Sequence, residues 1–151
     1  MPTLALDTPL GRFAIEETDG AVTALNWRGE SEGDATPLLV EAARQLAAYA
    51  AGDLTEFDLP LAPKGGSIQQ AVMAEMRAIP FGETRTYGDI AKAIGAPAQA
   101  VGQACGANPI PVIIPCHRVT GTGHLGGFSG MGGVEKKVEL LRHEGAYSLL
   151  I

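Results

Sequence analysis

Hydrophobic residues near the start of the chain come in three short bursts, Leu4–Asp7, Arg12–Glu17 and Val22–Trp27, separated by Pro9-Leu10-Gly11 and Asp19-Gly20. Short runs bounded by turn formers predict strands, here a small antiparallel meander. The period then changes. Leu38, Leu39, Ala42, Leu46 and Tyr49 recur at helical spacing and predict a helix over Pro37–Ala51, with Thr36 as N-cap and Gly52 closing it. Phe57–Leu61 reads as a short extended piece, and Ala62-Pro63-Lys64-Gly65-Gly66 as the boundary between a domain of residues 1–62 and one of residues 63–151.

The second half reads as helical up to its first proline-rich stretch. Ser67 is expected to cap a helix reaching Ile79, with Ile68, Val72, Met76 and Ile79 on its inner face. Pro80-Phe81-Gly82 turns the chain, Thr86 caps Tyr87–Ile94 with Ile90, Ala91 and Ile94 inward, and Gly95-Ala96-Pro97 leads into a helix over Ala98–Ala107. Two short helices joined by a tight turn fit both a helix-turn-helix and an ordinary helical hairpin. Val112–Ile114 reads as a short buried strand. The glycine-rich stretch Gly121–Gly133, with Leu125 and Phe128 inside it, reads as a hairpin or wing, and Val134–His143 as a last helix ended by Gly145.

Charge sharpens this division. The net charge is −6, but residues 1–62 hold 11 acidic and 3 basic side chains, whereas residues 63–151 hold 6 acidic and 8 basic. Any contact with phosphate therefore belongs to the second half. No apolar run approaches the roughly 20 residues that span a bilayer, so no membrane is expected. The first residues lack the basic and apolar regions of a signal peptide. Two cysteines make no disulfide framework and fit a cytoplasmic setting. The three histidines and two cysteines show no zinc-binding spacing, so no metal is expected.

The unusual chemistry lies in Pro111-Val-Ile-Ile-Pro-Cys-His-Arg-Val119. Pro115 cannot donate to a sheet ladder and bends the chain, which allows Cys116 and His117 to work side by side instead of on opposite faces of a strand. A cysteine is a good nucleophile as thiolate, a neighbouring histidine favours that form, and the histidine needs an orienting group, for which Glu144 is available. Taken singly, Cys116 also fits a small buried hydrophobe, His117 a core histidine and Glu144 a solvated helix end.

Pro115-Cys-His-Arg-Val119 resembles the active-site signature of the O6-alkylguanine-DNA alkyltransferases, also called methylated-DNA–protein-cysteine methyltransferases. Ile79-Pro-Phe-Gly-Glu-Thr-Arg-Thr-Tyr-Gly-Asp-Ile-Ala91, Val101-Gly102, Asn108-Pro-Ile-Pro111, Phe128-Ser129-Gly130 and His143-Glu144-Gly145 follow in family order, covering about residues 66–146. The resemblance implies an α+β protein: a small antiparallel sheet with a helix, ribonuclease H-like, then a helical winged helix-turn-helix domain bearing the site. It implies a monomer that uses no cofactor and no metal. Its partner would be double-stranded DNA bound from the minor groove. The alkyl group of O6-alkylguanine, and of O4-alkylthymine, would pass irreversibly to Cys116, one turnover per molecule. A related reading is an alkyltransferase-like sensor that binds the lesion with little or no repair.

Residue by residue, the resemblance makes His117 a base acting through water, Glu144 its orienter, Asn108 a hinge that braces the site, and Tyr87 the residue that rotates the nucleotide out and assists the leaving base. Val119, Phe128, Ser129 and Cys105 match the pocket for the flipped base. Thr86, Gln99, Ala100, Gly102 and Gln103 match the DNA-contacting positions. Three features depart from the pattern. Gln99 stands where the family usually places an arginine that fills the gap left by the flipped base, and the turn before it is shorter. The loop Gly130-Met131-Gly132-Gly133 is longer than usual. The zinc that some members carry in the N-terminal domain has no ligands here.

Overall fold

The computed structural model describes residues 2–121 and 133–146. The chain folds as two units, Met1–Lys64 and Gly65–Ile151, which meet within the expected Ala62–Gly66 boundary.

In the first unit, β1 (Thr3–Thr8), β2 (Gly11–Thr18) and β3 (Ala21–Asn26) form an antiparallel meander in chain order. The β2–β3 turn has positive φ at both Asp19 and Gly20, +50° and +81°. That pattern matches the twist of paired strands and favours an Asp-Gly pair. Helix α1 (Pro37–Ala50) starts where expected, with the Thr36 hydroxyl accepting from the Leu39 N–H at 3.1 Å. Its N-terminal turn is tied to the sheet by a hydrogen bond from the Thr36 hydroxyl to Glu17. Phe13, Ile15, Val22 and Leu25 meet Leu39, Leu46 and Tyr49 in a core from which water is excluded. Phe57–Leu61 forms no strand; only Leu61 makes an isolated bridge, to Val22.

The second unit holds α2 (Ser67–Arg77), β4 (Arg85–Thr86), α3 (Tyr87–Ile94), α4 (Ala98–Gly106), a 3₁₀ turn at Cys116–Arg118, β5 (Val119–Thr120) and α5 (Gly133–His143). Several expectations need correction. Ser67 is the first helical residue, the N-cap is Gly66, and no side chain caps this end. The helix stops at Arg77, and Ile68, expected inward, is 47% exposed; the buried face is Val72, Met73 and Met76. Ala91 and Ile94 are only half-buried. The Thr86 cap is as expected and is completed by Asp89, whose side chain accepts from the Thr86 N–H at 3.1 Å.

The largest difference concerns Val112–Ile114, which is fully buried but is not a strand. Val112 has φ +72°, and the Ile113 N–H returns to the Pro111 carbonyl at 2.9 Å while the Ile114 N–H reaches Ile110 at 2.9 Å. This is a γ-turn with positive central φ, strained for a β-branched residue. Pro115 makes a second such turn of the opposite hand (φ −81°, ψ 71°), closed by the Cys116 N–H on the Ile114 carbonyl at 2.8 Å. An apolar run between prolines thus reverses instead of extending. The wing expected over Gly121–Gly133 lies almost wholly outside the described residues.

Candidate active site

The two γ-turns deliver Cys116, His117 and Arg118 as one 3₁₀ turn inside the second unit, with exposures of 4%, 0% and 6%. Asn108 holds the turn from behind. Its amide donates to the Ile114 carbonyl at 2.7 Å and accepts from the Ile110 N–H at 3.0 Å. After the turn, Val119 and Thr120 pair in parallel with Arg85 and Thr86. This two-residue ladder fixes the start of α3, and therefore Tyr87, beside the turn that carries Cys116. Neither of its strands is visible as a hydrophobic pattern.

Glu144 lies beyond the last turn of α5 and is 4% exposed. Its carboxylate faces His117, Nε2 to Oε2 at 2.7 Å, and takes two hydrogen bonds from Arg118, Nε to Oε1 at 2.8 Å and Nη2 to Oε2 at 3.0 Å. The same guanidinium donates from Nη1 to the Ile79 carbonyl at 2.7 Å and lies 5.8 Å from the centre of the Phe81 ring. His117 Nδ1 is buried and has no protein partner among the described residues.

The electrostatics follow from burial. Burial alone would raise Glu144, but the hydrogen bonds and charges of His117 and Arg118 pull its carboxyl well below the usual range. Burial drives His117 down, against the opposing pull of Glu144, and so favours the neutral imidazole. Burial pushes the Cys116 thiol up, opposed by the Asn108 amide and by Lys137. Burial is the largest of these influences and favours the protonated thiol in the resting molecule, while the His117 backbone N–H acts in the opposite direction.

Lys137 is the surprise. It is fully buried, donates to the Val119 carbonyl at 2.6 Å and lies 5.7 Å from the centre of the Tyr87 ring. Burial lowers it to about 8, against the opposing pull of Cys116 and Cys105. Tyr87 is half-buried, and burial, with Cys105 and Cys116 nearby, pushes its hydroxyl up to about 12. Its phenol thus stays protonated and able to donate. Cys105 also lies close; its thiol points at the Met76 sulfur at 3.7 Å, and both cysteines are free.

The structure therefore gathers Cys116, His117, Glu144, Asn108, Tyr87, Cys105 and Val119 around one buried turn. Phe128 and Ser129 lie outside the described residues. Arg118 and Lys137 were missed by sequence reasoning. Lys137 is in helical register with Leu140, Leu141 and Glu144, all buried, and that spacing was the available signal. Arg118 sits between wholly apolar or buried neighbours, which should have marked it as a paired internal charge.

Helix α4 presents a different surface. Val101, Ala104 and Cys105 are buried, and Gln69 of α2 donates to the Ala104 carbonyl at 2.8 Å. Gln99, Gly102, Gln103 and Gly106 fall on the opposite face by helical spacing, Gly102 half-buried and the others exposed. Ala100 and Thr86 are half-buried. The open face of α4 carries no charge.

Comparison with known proteins matches residues 67–146 to the 6-O-methylguanine DNA methyltransferase DNA-binding domain and residues 3–63 to the ribonuclease-like domain of the same proteins. The chain is 40% identical over 153 residues to a methylated-DNA–protein-cysteine methyltransferase of Mycolicibacterium paratuberculosis, covering 95% of this chain and 92% of that one. It is 41% identical over 138 residues to the constitutive enzyme of that name from Bacillus subtilis, covering 82% and 84%. Among solved structures, Mycobacterium tuberculosis O6-methylguanine methyltransferase superposes with a TM-score of 0.82 at 39% identity, covering 97% and 93%. The M. tuberculosis protein in complex with DNA gives 0.82 at 42% identity, covering 96% and 93%.

Proposed function

The chain belongs to the 6-O-methylguanine DNA methyltransferase family, and on that premise we propose that it repairs DNA by moving the alkyl group of O6-alkylguanine onto its own Cys116. The observation that carries this reading is the Cys116-His117-Glu144 arrangement. A buried thiol stands next to a neutral imidazole whose second nitrogen is held at 2.7 Å by a carboxylate.

The reaction divides among these residues. The alkylated base lies inside the duplex stack and must be turned out to reach a buried sulfur. Helix α4 enters the minor groove with its small, uncharged face. Tyr87, at the N-terminal end of α3, displaces the nucleotide and donates a hydrogen bond to the leaving base. His117 Nδ1 takes the thiol proton through a water molecule, and Glu144 holds the imidazole for that transfer. The thiolate sulfur attacks the alkyl carbon as the carbon–oxygen bond breaks. The guanine oxygen leaves with the electron pair and the base is reprotonated. A thioether has no facile return path, so each molecule acts once. Lys137, close to both Tyr87 and Cys116, places positive charge where the thiolate forms.

The test is the mass of the intact protein after incubation with duplex containing O6-methylguanine. One added methyl mass, mapped to the peptide holding Cys116, is expected, and Cys116→Ser should bind the lesion without gaining mass. A methyl group on Cys105 overturns the assignment. Binding without any gain by the wild-type protein leaves lesion sensing as the function.

A further inference from the structure

Arg118 takes no part in the steps just described, yet its guanidinium is bound directly to the carboxylate that orients His117. It is an internal cation with both faces of its work visible: two hydrogen bonds to Glu144, one to the Ile79 carbonyl beyond the end of α2, and a ring contact with Phe81. An internal ion pair of this kind is weak evidence for stability, because desolvation offsets most of the attraction. What it does supply is a fixed charge state and geometry for its partner.

We infer that Arg118 is the positioning residue that sets the tautomer of His117, acting through Glu144. The argument is a count of protons in a buried cluster. With Arg118 present, an ionised Glu144 leaves the pair neutral. An ionised carboxylate can only accept, so the contact at 2.7 Å requires the proton to sit on His117 Nε2. Nδ1 then carries the free lone pair, and it is the nitrogen that has no protein partner among the described residues. Without Arg118, Glu144 would be a lone negative charge at 4% exposure. Such a group takes up a proton instead of remaining ionised. If the carboxyl holds that proton, it donates to Nε2 and the histidine proton moves to Nδ1. If the imidazole holds it, both nitrogens are protonated. In either case Nδ1 can no longer receive the thiol proton. The family signature thus places the base and the residue that fixes its protonation at adjacent positions, joined through a carboxylate from just beyond α5.

The charged groups acting on His117 are Glu144 and Lys137 from the α5 segment and Arg118 from its own turn, with the thiol of Cys116 the neighbouring titratable group. Helix α2 also packs here, but Glu75 is paired with Arg85 at 3.6 Å and Arg77 is exposed. Lys137 is cationic below about pH 8 and opposes protonation of His117. Lys137 donates to the Val119 carbonyl, whereas Arg118 is bound directly to both oxygens of Glu144.

The inference rests on the proposed transfer to Cys116, but its first test does not. Nitrogen-15 spectra of the unreacted protein labelled at histidine, with His117 assigned by its absence in His117→Gln, report each ring nitrogen directly. At neutral pH the wild-type protein should show Nδ1 unprotonated and Nε2 protonated. Arg118→Met and Arg118→Gln should show Nδ1 protonated, and Arg118→Lys, which keeps the charge, should restore the wild-type pattern. In the transfer assay, Arg118→Met should be slower by about 10²-fold at neutral pH, the usual contribution of a general base. That loss should shrink as pH rises and the extra proton leaves. Protonated Nδ1 in the wild-type protein overturns the inference, whether or not any variant folds. So does an unprotonated Nδ1 in a folded neutral variant, or a rate loss that is the same at every pH. A wild-type protein with the expected spectrum but no methyl on Cys116 would refute the functional reading alone.

Discussion

Gly102 offers a test in which stability and binding should move in opposite directions. It is the fifth residue of the nine in α4 and has no positive φ. Apart from its chain neighbours and the backbone of α4 itself, a Cβ built on it would meet no described atom within 4 Å. Nothing within the described protein therefore requires glycine there. A glycine in a helix interior is worse than alanine by about 1 kcal/mol. Gly102→Ala should stabilise the second unit by about that amount, raising its melting temperature by about 4–8 °C for a domain of this size. If α4 lies against DNA, the added methyl group occupies space the duplex needs. Overpacking a close interface by a methyl group costs about 1–3 kcal/mol, equivalent to a loss in duplex affinity of about five- to 150-fold. Calorimetry measures the first effect and fluorescence anisotropy with lesion-bearing duplex the second. Transfer from the free alkylated base, which has no duplex to clash with, should be nearly unchanged. A variant that melts higher and binds duplex as tightly as the wild type would refute the placement of this face in the groove.

Gln99 and the buried thiols give the remaining predictions. No lysine or arginine occurs in residues 93–117, so few phosphates are neutralised by α4, and Gln99→Arg should tighten duplex binding and steepen the salt dependence of log K by about 0.9, one phosphate's worth; an unchanged slope would mean that residue 99 does not reach the DNA. Alkaline stability should show a maximum near pH 9. Lys137, lowered to about 8 from 10.5, is less protonated folded than unfolded between those values, so its contribution makes stability rise with pH there. Cys105, raised by burial and by Cys116 to about 12 from 9, and Cys116, raised likewise, keep protons in the folded state that the unfolded chain loses above pH 9. Their stabilisation is complete below pH 9 and is lost as pH rises through the folded values, and two thiols outweigh one lysine. Melting temperatures between pH 7 and 11 should follow this course, with Cys105→Ala flattening the fall; a decline already under way from pH 8 would contradict it.

Local signals read well wherever the chain solves its own geometry. Asp19-Gly20, Thr36-Pro37 and the Thr86–Asp89 box each contain the residues that satisfy their own backbone, so the hairpin and the helix starts were legible. Val112–Ile114 was not, because an apolar run reads alike whether it extends or reverses. What holds the reversal is Asn108, six residues back, bonding across the loop to Ile114, and a single side-chain bond of this kind leaves no periodic trace. The β4–β5 ladder failed for the same reason, with two residues per strand. Cys116, His117 and Glu144 were visible as residue types with a motif around them. Arg118 and Lys137 leave only a weak local signal, because their partners, Glu144 and Val119, come from elements far along the chain.

The burial of Cys116 also bears on the time between lesions. Oxidants and stray electrophiles consume cysteines in proportion to exposure and thiolate character. Cys116 is 4% exposed and its thiol holds its proton at neutral pH. If Cys116 is the acceptor proposed above, its burial works as storage, because an idle protonated thiol is kept from competing reagents. Repair capacity then equals the number of intact thiols on hand, and shelf life counts for as much as speed.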